Sequence, residues 1–159
     1  MSKEVYMIAG VNIRELSHKE TVVLALSFLD KISNEVIDHR KVISNVRGLV
    51  NRWLEGSITT DMFHKTCNDN ESMYLTEVMF EYIGYDGIES GYDADNTDRF
   101  YHYLYCKHEV LDAIERIENI VSAHRYSEHK WDITHIEDVY YSVQGAIIAN
   151  NAYIKLSED

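Results

Sequence analysis

Eight histidines, two cysteines and 27 carboxylates are the groups in this chain that could hold a metal, attack an electrophile or move a proton. Their spacing decides which of these is open. Asp93-Ala94-Asp95-Asn96-Thr97 begins as a calcium loop does, with oxygen ligands on alternate residues. The next position needs Gly for a sharp turn and holds Asp98, and the twelfth needs a bidentate Glu and holds Leu104, so an EF-hand is excluded. His108, Asp112 and Glu115 fall at i, i+4 and i+7, one line on a helix surface. At 100° per residue that line is turned away from the apolar stripe and faces water. A di-metal bundle instead needs Glu-x-x-His pairs projecting inward from paired helices. Glu15-x-x-His18 has the spacing but straddles a helix start, and His135 with Asp138 is a lone i, i+3 pair. His124 and His129 flank a helix end, where an imidazolium favours the helix dipole.

Nucleophile arrangements are thin. His64 precedes Cys67 by three residues and could lower its pKa. Cys67 and Cys106 otherwise read as small packing residues, and without a CxxC they suit a reducing compartment. No Gly-x-Ser-x-Gly, phosphate loop or dinucleotide fingerprint occurs, so no cofactor is expected. Glu115-x-x-Glu118 and Glu109-x-x-Asp112 are similar to the magnesium motifs of helical nucleotide pyrophosphatases. Here they stand in reversed order on one helix and cannot face each other, which leaves them as a solvated face. Arg125-Tyr126-Ser127-Glu128-His129 is one residue too short for the Arg/His pattern of some helical ribonucleases.

The elements that must position these groups follow from hydrophobic periodicity. Val5, Met7, Ala9 and Val11 alternate as in a short strand. Ser17-His18-Lys19-Glu20 is a capping box opening a helix to about Ser33, with a broad apolar face. A second helix runs over about 34–55, ended by Gly56. Thr59 or Thr60 can cap a short helix to Cys67, and another helix covers about 72–83. Residues 84–98 hold three glycines among polar residues and read as a loop. A long helix follows over about 97–125. Thr134-His135-Ile136-Glu137, a second capping box, opens the last helix. With no proline, no linker and no repeat, these elements predict one all-α domain over residues 1–159, a bundle of five to six amphipathic helices with one short N-terminal strand. The N-terminus lacks the pattern of a signal peptide, and no apolar run approaches the roughly 20 residues of a membrane span, so a cytoplasmic location is expected.

Charge is the most uneven feature. Fifteen Lys and Arg stand against 27 Asp and Glu, a net charge of −12. Residues 66–98 contain no Lys or Arg and nine acids: Asp69, Glu71, Glu77, Glu81, Asp86, Glu89, Asp93, Asp95 and Asp98. Three quarters of the excess negative charge therefore lies in 33 residues. So acidic a molecule repels nucleic acid and anionic membranes. Tyr74, Tyr82, Tyr85 and Tyr92 are interleaved with the acids. Spaced carboxylates with aromatic groups between them imitate the phosphates and base faces of a nucleic acid strand, and a protein that grips phosphate is attracted to such a surface.

The expectation is a stoichiometric protein-binding inhibitor, not an enzyme, that occupies a basic nucleic-acid-binding surface through Glu77, Glu81, Tyr85, Asp86, Glu89, Tyr92, Asp93, Asp95 and Asp98. In profile, though in no motif, the chain resembles phage-encoded inhibitors of host nucleases or defence complexes and toxin-immunity proteins. Two further readings compete: a helical metal-dependent hydrolase using His108, Asp112, Glu115 or His135, and a homo-oligomeric module packing through the first helix.

Overall fold

The computed structural model describes residues 6–32, 40–66, 95, 97–123 and 129–158, and it is mostly helical. The chain enters through a two-stranded antiparallel ribbon, β1 (Met7–Ile8) paired with β2 (Val11–Asn12). The single strand expected over Val5–Val11 is thus folded back on itself. Ala9 and Gly10 both have positive φ, 51° and 81°, the pattern that lets a two-residue turn match the twist of its strands. Gly10 was the signal for this turn, and the alternation of four small apolar residues masked it. The Asn12 carboxamide oxygen accepts from the Tyr6 and Arg14 backbone N–H groups, at 3.0 and 3.3 Å, and ties the ribbon to the 3-10 turn Ile13–Glu15.

The first capping box is built as expected. Ser17 Oγ accepts from Glu20 N at 3.1 Å, and Glu20 Oε1 accepts from Ser17 N at 3.0 Å. Hydrogen bonding to the carboxyl from the Ser17 backbone N–H, and then from the Ser17 hydroxyl, also holds Glu20 below its usual pKa. Helix α1 (His18–Leu29) buries Val22, Ala25, Leu26, Phe28 and Leu29 and stops four residues earlier than the sequence suggests. Lys31 and Ile32 make three-residue turns there instead of continuing the helix. Helix α2 (Arg40–Leu54) ends where Gly56 takes φ 78°; Gly56 N donates to Trp53 O and Ser57 N to Arg52 O, a Schellman closure. Helix α3 (residues 60–66) is capped by the Thr59 hydroxyl, which accepts from Met62 N at 3.1 Å. The expected helix over 72–83 and the loop over 84–98 lie outside the described residues, apart from Asp95, Thr97 and Asp98.

Helices α4 (Arg99–Ala123) and α5 (His129–Glu158) form the longest packed pair. The second capping box does not open α5: Thr134 to Glu137 lie within a helix that already began at His129. A Thr-x-x-Glu sequence caps a helix only when the preceding residues cannot carry it. Here Lys130-Trp131-Asp132-Ile133 contains neither Gly nor Pro, and propagation wins over capping. Helix α4 carries two apolar stripes, Leu104-Leu111-Ile114-Val121 and Cys106-Val110-Ala113-Ile117-Ile120, and packs against both α1 and α5. One continuous core takes side chains from the ribbon and from all five described helices, including Phe63 of α3. Full burial of each large aliphatic chain contributes about 1.5–3 kcal/mol, so this core, rather than any polar contact, holds the fold. Among the described residues no helix is long and apolar enough to cross a membrane.

Candidate functional site

Of the nine residues expected to meet a partner, Glu77, Glu81, Tyr85, Asp86, Glu89, Tyr92 and Asp93 lie outside the described residues. Asp95 and Asp98 are exposed just before α4. Asp98 also has a local task. Its carboxylate accepts from Phe100 N at 2.9 Å, capping the helix and placing a negative charge at the positive end of the helix dipole. The acid-rich run is therefore anchored at its C-terminal end to the N-terminus of the central helix.

Four of the described carboxylates form a row on α4. Glu109, Asp112, Glu115 and Glu118 recur every three residues, so each lies about 60° round the helix from the last. The row begins against α5. Glu109 is half-buried where α5 offers Gly145, at which a Cβ would stand 3.0 Å from Glu109 Oε2. Burial first and the Asp112 charge second push the Glu109 carboxyl up to about 7, against the opposing pull of a hydrogen bond with Tyr105. Asp112 accepts from Ser142 Oγ of α5 at 2.9 Å. One turn on, Arg116 Nη1 lies 3.5 Å from Asp138 Oδ2 of α5. The three cross-helix pairs advance in opposite directions on the two helices, as an antiparallel register requires. His135, beside this last pair, is held below its ordinary pKa by burial and by Arg116, against the pull of Asp138.

The row ends against α3. Glu118 is only 5% exposed, and His64 Nδ1 lies 2.5 Å from its Oε1. The expectation that these four carboxylates form a solvated face holds for exposed Glu115 alone. The reason is that α4 is central: beyond its first turn the exposed residues among those described are His108, Glu115 and Asn119, and Glu109 and Glu118 beside them are covered by α5 and α3. Glu115 itself is raised by partial burial and by Asp112 and Glu118. His64 turns to Glu118, and Cys67 lies outside the described residues, so the pairing of these two considered from sequence has no described geometry. Cys106 is fully buried, and burial pushes its thiol up to about 12, which suits packing and not nucleophilic attack.

His18 is likewise structural. Its Nε2 donates to Ile120 O of α4 at 2.5 Å, and its ring meets Trp53 edge-on at 5.5 Å. The Trp53 indole donates to Thr60 Oγ1 at 3.1 Å, so one chain of polar contacts joins α4, α1, α2 and α3. Glu15, its partner in the sequence motif, stays exposed on the 3-10 turn.

This row can keep a proton at Glu109 near neutral pH, and it fixes the register of α4 on α5. Among the described residues no three His, Cys, Asp or Glu side chains are placed to hold a metal ion together. A hydrolase built on His108, Asp112, Glu115 and His135 thus gains no ligand set: Asp112 is engaged with Ser142, and His135 stands beside the Arg116 guanidinium. Sequence reasoning missed the burial of Glu109 and Glu118 and the contribution of Ser142 and Gly145. One signal was present, since a lone Gly inside a helix marks close approach of another element. No family model, no curated protein and no solved structure matches the chain.

Proposed function

We propose that the protein acts by binding, as a stoichiometric ligand for a basic, nucleic-acid-gripping surface of another protein, in the manner of an inhibitor or immunity protein. The observation that carries this reading is the run of 33 residues, 66–98, with nine carboxylates and no Lys or Arg. Four of the described cations add support by having partners outside that run. Arg47 pairs with Asp30 and Arg116 with Asp138. Arg99 lies 5.2 Å from the centre of the Tyr153 ring and Lys107 4.8 Å from that of Tyr103. Opposite fields speed encounter, and interleaved tyrosines supply contact area at little entropic cost.

The test is capture from host lysate on the immobilised chain, at low salt and at about 1 M salt, where the screening length falls to about 3 Å. Proteins that handle DNA or RNA should be retained at low salt, lost at high salt and displaced by added duplex DNA. A variant with Asp86, Glu89, Asp93 and Asp95 changed to Lys should retain none of them while its helical circular dichroism is unchanged. Undiminished capture by that variant removes the acidic run from the function.

A further inference from the structure

The ribbon and α5 form a cleft of about 310 Å³. Its walls are Tyr6, the exposed Met7, Glu137, Tyr140 and Tyr141. Tyr140 is a fixed wall, half-buried and set edge-on against the buried Phe28 of α1 at 5.5 Å. Tyr141 stands 5.6 Å from it at 66°, and is 61% exposed. The two rings thus present faces at a steep angle around a common space. Tyr6 is held from behind, because its N–H donates to Asn12 and its C=O accepts from Ile13 N at 2.8 Å. Glu137 is half-buried and has no ion pair or hydrogen bond among the described residues. Among the described residues no Lys or Arg lines the cleft.

Three tyrosines around one carboxylate with no cation beside it among the described residues form a binding chemistry of known sign. Aromatic faces carry negative potential and attract ammonium and guanidinium groups within about 6 Å, most strongly when the cation is partly desolvated. The carboxylate adds a full opposite charge, and the exposed Met7 thioether offers an adaptable apolar side for an alkyl stem. A neutral or anionic guest would leave Glu137 desolvated without compensation. We propose that this cleft is a cation-accepting site, and that its occupant is the side chain of a lysine or arginine on a partner protein. It is carried by residues other than those of the acidic run.

The experiment is an NMR titration of the full chain labelled at tyrosine. The probes are tetramethylammonium chloride, methylguanidinium chloride, the neutral isostere 3,3-dimethylbutanol, and a short Lys- and Arg-containing peptide. Saturable shifts at Tyr140 and Tyr141 with both cations and with the peptide, and weaker ones with the neutral isostere, are expected. Tyr141→Phe should retain binding and Tyr141→Leu should weaken it about fivefold. Glu137→Gln should weaken the cations and leave the neutral isostere unchanged. Tyr141 is exposed, so these variants should fold, and circular dichroism checks that they do. Equal binding of the neutral isostere, or no saturation with any cation, overturns the proposal. Binding of the small cations but not of the peptide overturns the assignment to a protein side chain. The variant reversed at Asp86, Glu89, Asp93 and Asp95 should still bind the probes, which separates failure of this site from failure of the acidic run.

Discussion

Glu109→Gln should make the protein more stable above neutral pH, and the gain should shrink as pH falls towards 5. The Glu109 carboxyl is raised from 4.5 to about 7 by burial against α5 and by the Asp112 charge. A raised carboxyl pKa means that the folded state keeps its proton while the unfolded chain loses it. Stability therefore falls as pH rises from about 4.5 to about 7, and above that interval the full cost of a buried charge is present. Each tenfold difference in proton affinity is worth about 1.4 kcal/mol, which bounds the effect at about 3 kcal/mol. Solvent on one side of this half-buried group reduces that to about 1–2 kcal/mol. Gln keeps the shape without the charge. Urea unfolding of both proteins from pH 5 to pH 8 gives the difference in stability at each pH. Taking the difference cancels His135, whose lowered pKa makes stability rise with pH in an overlapping interval. The difference should be smallest at pH 5 and grow to about 1–2 kcal/mol in favour of Gln by pH 8. Asp112→Asn should shrink it, because the Asp112 charge is the second cause of the shift. A difference that does not vary with pH would refute the reasoning, since it would mean that Glu109 carries the same charge folded and unfolded.

Gly145→Ala alone should change stability little, because the gain in helix propensity of about 1 kcal/mol is offset by displacing Glu109, whose Oε2 lies 3.0 Å from the added Cβ. In a Glu109→Ala background the same change should stabilise by about 1 kcal/mol, and a double-mutant cycle by urea melts reads the coupling. His64→Ala should cost about 1–3 kcal/mol, because it leaves the buried Glu118 carboxylate without that partner, and adding Glu118→Gln should recover most of the loss in thermal melts. Asn150 is 1% exposed, and neither atom of its carboxamide head has a hydrogen-bond partner among the described residues. Asn150→Leu should therefore raise stability by about 1–2 kcal/mol, and a fall on substitution would show that the amide is satisfied in solution.

The parts of the fold written in local chemistry could be read directly. Ser17 and Glu20 supply complementary donors and acceptors within one turn, and Gly56 supplies a left-handed residue, so both ends form where the sequence places them. Thr134 and Glu137 have the same local pattern and form no cap, because the residues before them continue the helix. Local chemistry states what an end could look like, and continuation of the chain decides whether there is one. The candidate site was less legible for a related reason. Of the line His108, Asp112 and Glu115 expected to face water, the first and last are exposed, and Asp112 between them is half-buried and bonded to Ser142 of α5. Glu109 and Glu118 flank that line, and a periodicity argument allows one buried face per helix. α4 is covered on two sides, by α5 at Gly145 and by α3 at His64, and no single-helix pattern contains that information. Tyr6 and Glu137 are 131 positions apart, so the cleft they share depends on the ribbon folding back at Ala9–Gly10.

Two features of different origin ask for positive charge. The acidic run does so through density of carboxylates, which act at long range and are screened by salt. The tyrosine cleft does so through shape and short-range contact, which added salt weakens far less. If one partner touches both, the run governs how fast it arrives and the cleft how long it stays. The charge-reversed run should then slow association, and Glu137→Gln with Tyr141→Leu should speed dissociation, in surface-plasmon kinetics with a captured partner. Carrying both sets of changes, the protein should lose the sum of the two free energies, because separated contacts on one partner act independently. A combined loss equal to the larger single loss would assign the two surfaces to different partners.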